Sequence, residues 1–329
     1  MVSELYKLIN DVYVINLPEA IDRRNTILTQ CKRDDVQLSP RIIDATRGSQ
    51  LTHYQLRQLV TPRMQTKLSP TTVAVAFSHY RIWKKIQQSK RNALILEDDA
   101  VFAHDFNEKV KPVVKECPDD FDILYLGCMN CTLTPDWSTK ILDVFRSNEW
   151  LTKSKTKHIN VPGYPIHMHG YCISVKGANK LCKLIEEQGI DDHIDAYVAE
   201  RKSMLNIYSA EPSLIFQPVS VFQSSNLKST YPHILNQAIE PLTNINQGHI
   251  NYGLTQSRLE VFGVPINPWL YILMLIVPLM VLLFGITNTI VLVTIYHVLE
   301  NKHTGVISAK VGILLILESM VAYNIIKFI

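Results

Sequence analysis

Three acidic residues in a row, Glu97-Asp98-Asp99, close the apolar run Ala93-Leu94-Ile95-Leu96. Adjacent carboxylates repel one another unless something positive neutralises them. Hard divalent cations such as Mg2+ and Mn2+ take carboxylate oxygens and are completed by substrate phosphates. Glu97 and Asp99 are two positions apart, so in an extended chain their side chains leave the same face. At the carboxyl end of a buried parallel strand they would face the place where ligands bind in such sheets. A metal-bound nucleotide is the chemistry this triplet suits, and a solvated loop end is the plainer reading of the same three residues.

Other chemistry-bearing neighbours carry less. Ser78 and His79 look like a nucleophile and its base, but adjacent helical residues point about 100° apart, which argues against that couple. Helix packing or a place on the acceptor side suits His79 better. Cys128 and Cys131 form one CxxC with no second pair to complete a zinc site, so the spacing reads as incidental. Asn130-Cys131-Thr132 is a glycosylation sequon, and one such triplet sets no compartment. The basic group Arg81, Lys84, Lys85, Lys90 and Arg91 reads as a solvated helix face. With a net charge of only +3 and no other dense basic cluster, no nucleic-acid partner is implied.

The elements that must position the acidic triplet are readable from hydrophobic pattern. Val12 to Leu17 and Ala93 to Leu96 are nearly continuous apolar runs, the pattern of strands buried on both faces. Further strands are expected at Pro40 to Ala45, Phe121 to Gly127 and Gly170 to Ser174. Helices are expected from about Asp22, over residues 70–89, where Val73, Ala76, Phe77, Tyr80 and Trp83 make one stripe, over Val175 to Gln188, and around Ile194 to Val198. The stretch 132–169, with Pro135, Pro162 and Pro165, reads as loop-rich. Strands alternating with helices over the first 220 or so residues argue for an α/β domain with a largely parallel sheet.

The end of the chain is of another kind. Charged residues make up 19% of the 329-residue sequence, yet the 39 residues between Glu260 and Glu300 contain no Asp, Glu, Lys or Arg. A bilayer span needs about 20 apolar residues. Two spans are expected, 268–298 and 311–329, joined by a polar turn at 300–310. Glu318, costly in mid-bilayer, would face Asn288 or Thr294 of the first span. A single span plus a membrane-lying helix is the alternative. The organisation expected is a globular domain over 1–225, a linker over 226–267, and an anchor over 268–329. The opening residues carry no secretory h-region, so the globular domain is expected on the cytosolic side of an endomembrane.

The ordered blocks resemble glycosyltransferase family 25, which includes bacterial lipooligosaccharide β-galactosyltransferases and collagen hydroxylysine galactosyltransferases. Val14-Ile15-Asn16-Leu17 with Arg23-Arg24 is similar to the family's opening, and Ile43-Asp44-Ala45 to its next strand. Phe77-Ser78-His79, Trp83-Lys84 and Ala93 to Ala100 are similar to its SH…W…ALILEDDV core. Phe121 to Leu124, Gly170 to Ala178 and Ile194-Asp195 follow in order.

The resemblance implies a GT-A type fold, a UDP-hexose donor (most often UDP-galactose), Mn2+ with Mg2+ as the alternative, and transfer with inversion to a glycan or protein hydroxyl. Carried onto this chain, Asp99 would contact the metal directly, and Glu97 the ribose or a metal-bound water. Asn16, Arg24, Glu97 and Asp98 would bind the donor. Asp195 would be the general base, or else a helix cap among Asp191, Asp192 and Asp195. Membrane lipid is the remaining partner. One departure stands out: Thr71 to Val75 occupy the place of the family's Gly-Glu-x-Gly-Cys run. It leaves open a second reading, a catalytically weak, membrane-tethered protein that binds a sugar nucleotide or glycan.

Overall fold

The computed structural model describes residues 3–62, 70–133, 151–217 and 264–328, with residues 231, 232, 234, 235, 238 and 259–261. The chain divides into two units, Met1–Phe222 and Gln223–Ile329. The first opens with β1 (Asp11–Asn16), α1 (Ile21–Lys32), β2 (Arg41–Asp44), α2 (His53–Leu59) and the long α3 (Pro70–Ser89). β3 (Ala93–Glu97), β4 (Val101–Phe102), α4 (Phe106–Glu116) and β5 (Ile123–Met129) follow. Then come β6 (Lys153–Ser154), β7 (Ile159–Val161), β8 (Ile166–Ile173), α5 (Val175–Gln188), α6 (Ile194–Glu200), β9 (Ile207–Ala210) and β10 (Ile215–Phe216).

Eight strands form one sheet in the order β2-β1-β3-β8-β5-β9-β7-β6. β2, β1 and β3 pair in parallel, as do β5 and β9. β8 enters antiparallel between β3 and β5, and β7 runs antiparallel to β9. The unit is a mixed α/β fold whose central sheet runs mostly in one direction.

The continuous apolar strands have the cause expected of them: alternate residues feed two cores. Tyr13, Ile15, Ile95, Tyr125, Tyr171 and Ile173 pack with the α3, α5 and α6 side chains Phe77, Trp83, Leu181, Ile185 and Tyr197. Val12, Val14, Leu94, Leu96, Leu124 and Cys172 pack with Ile27 and Cys31 of α1 and with Phe106, Val110 and Val113 of α4. The period of two is present in space and invisible in the sequence because both faces are dry.

Two expectations are corrected. β8 begins at Ile166, not Gly170, and β6 and β7 also fall within the stretch read as loop. Ile166-His167-Met168-His169 alternates apolar with polar type, yet His169 is fully buried, so residue type concealed the strand. Pro135 lies outside the described residues. β10 crosses close over the sheet at Gly127, where a Cβ would collide with the Ile215 carbonyl and come within 2.7 Å of His169 Nε2. Only glycine permits that approach, and it carries the chain on to Gln217.

In the second unit, β11 (Leu259–Val261) and β12 (Val264–Ile266) form an antiparallel pair inside the expected linker. α7 (Pro268–Thr304) and α8 (Val306–Phe328) are both long and apolar enough to cross a membrane. α7 is two helical pieces broken at Gly285, whose φ of +78° is open to glycine. The expected polar turn at 300–310 shrinks to Gly305, because the helix runs on through Glu300 and Thr304, where Thr304 Oγ1 donates to the Glu300 carbonyl. Leu270, Val277 and Val293 of α7 pack with Val311 and Leu315 of α8. The expected partner for Glu318 does not materialise: its Oε2 is buried without a hydrogen bond, and Asn288 donates to Phe284 of its own helix.

Candidate functional site

β3 lies beside β1 with Ile15 opposite Glu97, so the two strands end together. Asn16, the last residue of β1, is 1% exposed and donates from Nδ2 to Asp98 Oδ2 at 2.8 Å. Arg23 Nη1 stands 3.4 Å from Asp98 Oδ1. Asp98 is thereby turned toward the start of α1. Glu97 and Asp99 turn the other way, as their spacing predicts, and meet a single amide. Gln217 Nε2 lies 3.3 Å from Glu97 Oε2 and 3.0 Å from Asp99 Oδ2.

Burial is the leading force on all three carboxylates, and their neighbours separate them. Asp98 sits above the usual carboxylate range because burial outweighs the Asn16 and Arg23 contacts. Asp99 is pushed up to about 7 by burial and by the charge of Glu97, against the pull of Gln217. Burial acts upward on Glu97 as well, but the contact from His79 above all outweighs it and holds Glu97 below its ordinary value. Glu97 therefore keeps its charge more readily than Asp99 does.

The histidines come from two elements. His79 of α3 is fully buried, with Nε2 3.5 Å from Glu97 Oε1. His169 of β8 is fully buried, and burial lowers it to about 4, so it is neutral. His167, at φ +66°, donates its backbone N–H to Asp195 Oδ2 at 3.1 Å. Asp195 Oδ1 accepts from the Ala196 N–H at 2.8 Å in the first turn of α6. Both oxygens of Asp195 are therefore held by main chain, a capping arrangement that also fixes where the carboxylate points.

Of the expected residues, Asn16, Glu97, Asp98 and Asp99 come together. Arg24 does not join them: it is exposed on α1, and Arg23, one residue earlier and about 100° around the helix, reaches Asp98 instead. Asp195 reaches the group through His167. Sequence reasoning missed Gln217, His167, His169 and Arg23. The alternation in Ile166-His167-Met168-His169 was a usable signal for two of them.

Among the described residues, no three His, Cys, Asp or Glu side chains converge as a ready-made metal cage. A cation completed by substrate phosphates needs only one or two carboxylates. Glu97 and Asp99 supply two, and Asp99 Oδ1 is buried with no hydrogen-bond partner. The donor set is all oxygen, which suits Mg2+ or Mn2+.

One expectation about the cysteines is overturned. Cys128 and Cys131, at the end of β5, are joined as a disulfide with their Cα atoms 5.8 Å apart. Asn130, between them, is 7% exposed and donates to the Tyr164 carbonyl.

Residues 9–197, which include β1 to β8 and Asp195 but not Gln217, match glycosyltransferase family 25 (LPS biosynthesis protein). The chain belongs to glycosyltransferase family 25. Among family relatives, it is 27% identical over 203 residues to a glycosyltransferase 25 family member of Aedes aegypti, covering 58% of this chain and 30% of that one. It is 23% identical over 278 residues to procollagen galactosyltransferase 2 of Homo sapiens, covering 76% and 42%. It is 31% identical over 150 residues to the procollagen lysyl hydroxylase and glycosyltransferase of Acanthamoeba polyphaga mimivirus, covering 41% and 16%. The chain thus spans less than half the length of these family 25 relatives.

Proposed function

We propose that this family 25 chain is a membrane-anchored hexosyltransferase that moves galactose from UDP-galactose to a glycan or protein hydroxyl, with inversion and with a divalent cation. The observation that carries the reading is the divergence of the acidic triplet: Asp98 is committed to Asn16 and Arg23, while Glu97 and Asp99 converge on one spot. The printed names of the human and mouse relatives, procollagen galactosyltransferase 2, favour galactose and a protein acceptor. A GT-A type arrangement is consistent with a ligand position at the carboxyl ends of parallel β1 and β3.

Asp99 and Glu97 would hold the cation. When bound, it would neutralise the diphosphate leaving group. The chain's own contribution is then positional. Asn16 orients Asp98, and Arg23 places a guanidinium beside the donor position. Asp195, its carboxylate held by the His167 and Ala196 N–H groups, is our choice to take the acceptor hydroxyl proton. α7 and α8, only 17% and 33% buried over their most apolar windows, are far more exposed than a soluble core helix and suit an anchor in lipid.

A second reading has its own observation. Thr72, Val73 and Ala74, in the place of the family's glutamate-bearing run, are packed into the first turns of α3 as core. On that reading the chain would bind the sugar nucleotide without turning it over. Full-length protein in detergent, given UDP-galactose or UDP-glucose with Mn2+, Mg2+ or a chelator, separates the two. UDP release with Mn2+ and not with chelator supports the transferase. UDP binding without release supports the binder. Absence of both overturns the site.

A further inference from the structure

Buried polar groups lead from the core of the first unit toward Glu97, and the two hydrogen bonds among them are fixed in direction. Trp83 Nε1 lies 2.9 Å from Tyr171 Oη, and His79 Nδ1 lies 2.9 Å from the same oxygen. An indole N–H only donates, so Tyr171 Oη accepts from Trp83. The tyrosine has one proton of its own and is fully buried. Left without an acceptor, that buried proton would carry its full desolvation penalty unrecovered. The acceptor beside it is His79 Nδ1, which must therefore be unprotonated. The remaining nitrogen, Nε2, then carries the hydrogen and faces Glu97 Oε1 at 3.5 Å. That contact is electrostatic rather than a hydrogen bond, since Nε2 has no hydrogen-bond partner, so the tautomer is set at the Tyr171 end and leaves Nε2–H facing the carboxylate.

The fold places these groups without adjustment. His79 and Trp83 are four apart on α3 and share a face. Tyr171 is paired with Ile95 across β8 and β3, and Ile95 is two residues before Glu97 on the same side of the strand. None of the three aromatic side chains is exposed enough to meet a substrate.

We propose that Trp83, Tyr171 and His79 form a fixed donor relay, Trp83 to Tyr171 to His79, that locks the Nε2–H tautomer of His79 and turns that N–H toward Glu97, whose carboxylate it holds by electrostatic attraction toward the cation and donor. His79 is a positioning residue. The role rests on the reading of Glu97 given above, and it goes beyond that reading in naming what holds the carboxylate in place.

Nitrogen NMR of the 15N-histidine-labelled full chain in detergent, with His79 assigned by its absence in His79→Gln, reads the tautomer with no metal present. Wild type should show Nε2–H, and Tyr171→Phe should lose that single state. An Nδ1–H tautomer in wild type overturns the relay. Mn2+ binding in the presence of UDP, followed by the loss of the free-ion paramagnetic resonance signal, tests the consequence. Loss of a group behind a ligand weakens metal affinity by about 10–100-fold, so His79→Leu should fall in that range. His79→Gln, whose amide nitrogen reaches the place of Nε2, should stay within about threefold of wild type if the N–H is what matters. Thermal unfolding of both variants reports that they are folded. Folded His79→Leu binding as wild type does, or His79→Gln failing as His79→Leu does, overturns the positioning role. Wild type binding neither Mn2+ nor UDP overturns the reading of the whole site, a result that the comparison of variants does not mimic.

Discussion

Gln217 Nε2 donates to Asp99 Oδ2 at 3.0 Å across 118 residues of chain, and the same nitrogen reaches Glu97. A neutral amide thus stands where a cation would serve both carboxylates. Its contact with Asp99 is the only hydrogen bond to that side chain among the described residues, and the other oxygen, Oδ1, has none.

Asp99→Asn keeps the size of the side chain and removes its charge. Turnover of UDP-sugar with Mn2+ should fall about 100-fold or more, the scale of losing a key electrostatic group. Folding should survive, since a buried carboxyl already pushed up to about 7 gains nothing from being charged. Initial rates and a melting curve on the same preparation check both. Full turnover in a folded variant removes Asp99 from the cation site.

Asp195→Asn separates two roles for that carboxylate. If Asp195 takes the acceptor proton, transfer should fall by about 100-fold or more while UDP affinity stays near wild type, as for a group used only in the transition state. If it is only a cap, the loss should track stability, because an asparagine amide turned toward the His167 N–H would oppose it. Calorimetry with UDP and Mn2+, set against a transfer assay, decides. Binding and transfer falling together would make Asp195 part of the donor site.

The acid limb of stability has a specific contributor away from the site. Glu116, at the end of α4, accepts from Thr156 Oγ1, from the His158 N–H and from His158 Nδ1 at 2.6, 2.9 and 2.7 Å. These contacts, the Thr156 bond first, lower it to about 2 from its ordinary 4.5. A depressed carboxylate contributes stability that is fully present above its unfolded value and is lost as pH falls toward the folded one. Wild type should therefore melt above Glu116→Gln at pH 6, and the gap should close between about 4.5 and 2. A gap that is constant with pH would mean that the contacts act only by shape.

What the sequence made legible follows from where the determining contacts lie. β1 and β3 were plain because burial on both faces leaves continuous apolar runs. Glu97 and Asp99 share a face because strand geometry alone puts them there. Arg23 and Arg24 could not be separated, since the phase of α1 is set by packing of Ile27 and Cys31 that neither arginine announces. Gln217 carries no local mark at all: its place depends on Gly127 letting β10 pass close over the sheet. The CxxC gave spacing but no geometry, and the turn at Asn130, with φ +62°, is what closes the pair.

The second unit and the disulfide together predict how the protein sits at a membrane. Leu275, Leu282, Leu283, Phe284 and Val298 of α7 and Ile313 and Val321 of α8 are exposed, and aqueous solvent would leave that surface uncovered. The full-length protein should stay with membranes through alkaline carbonate extraction, and its release would remove the anchor. If both helices cross, a hairpin turning at Gly305 would return the chain to the side it entered. Disulfides persist in oxidising compartments and are rare in the cytosol, so Cys128–Cys131 argues for the oxidising side, against the cytosolic placement drawn from the opening residues. In sealed vesicles, the globular unit should resist added protease, and Cys128 and Cys131 should take up alkylating reagent only after unfolding with reductant. The sequon at Asn130 should remain unmodified in the folded protein, because its amide is buried inside the disulfide loop. Protease cleavage of the globular unit in intact vesicles, with both thiols alkylated on unfolding without reductant, would return it to the cytosolic side.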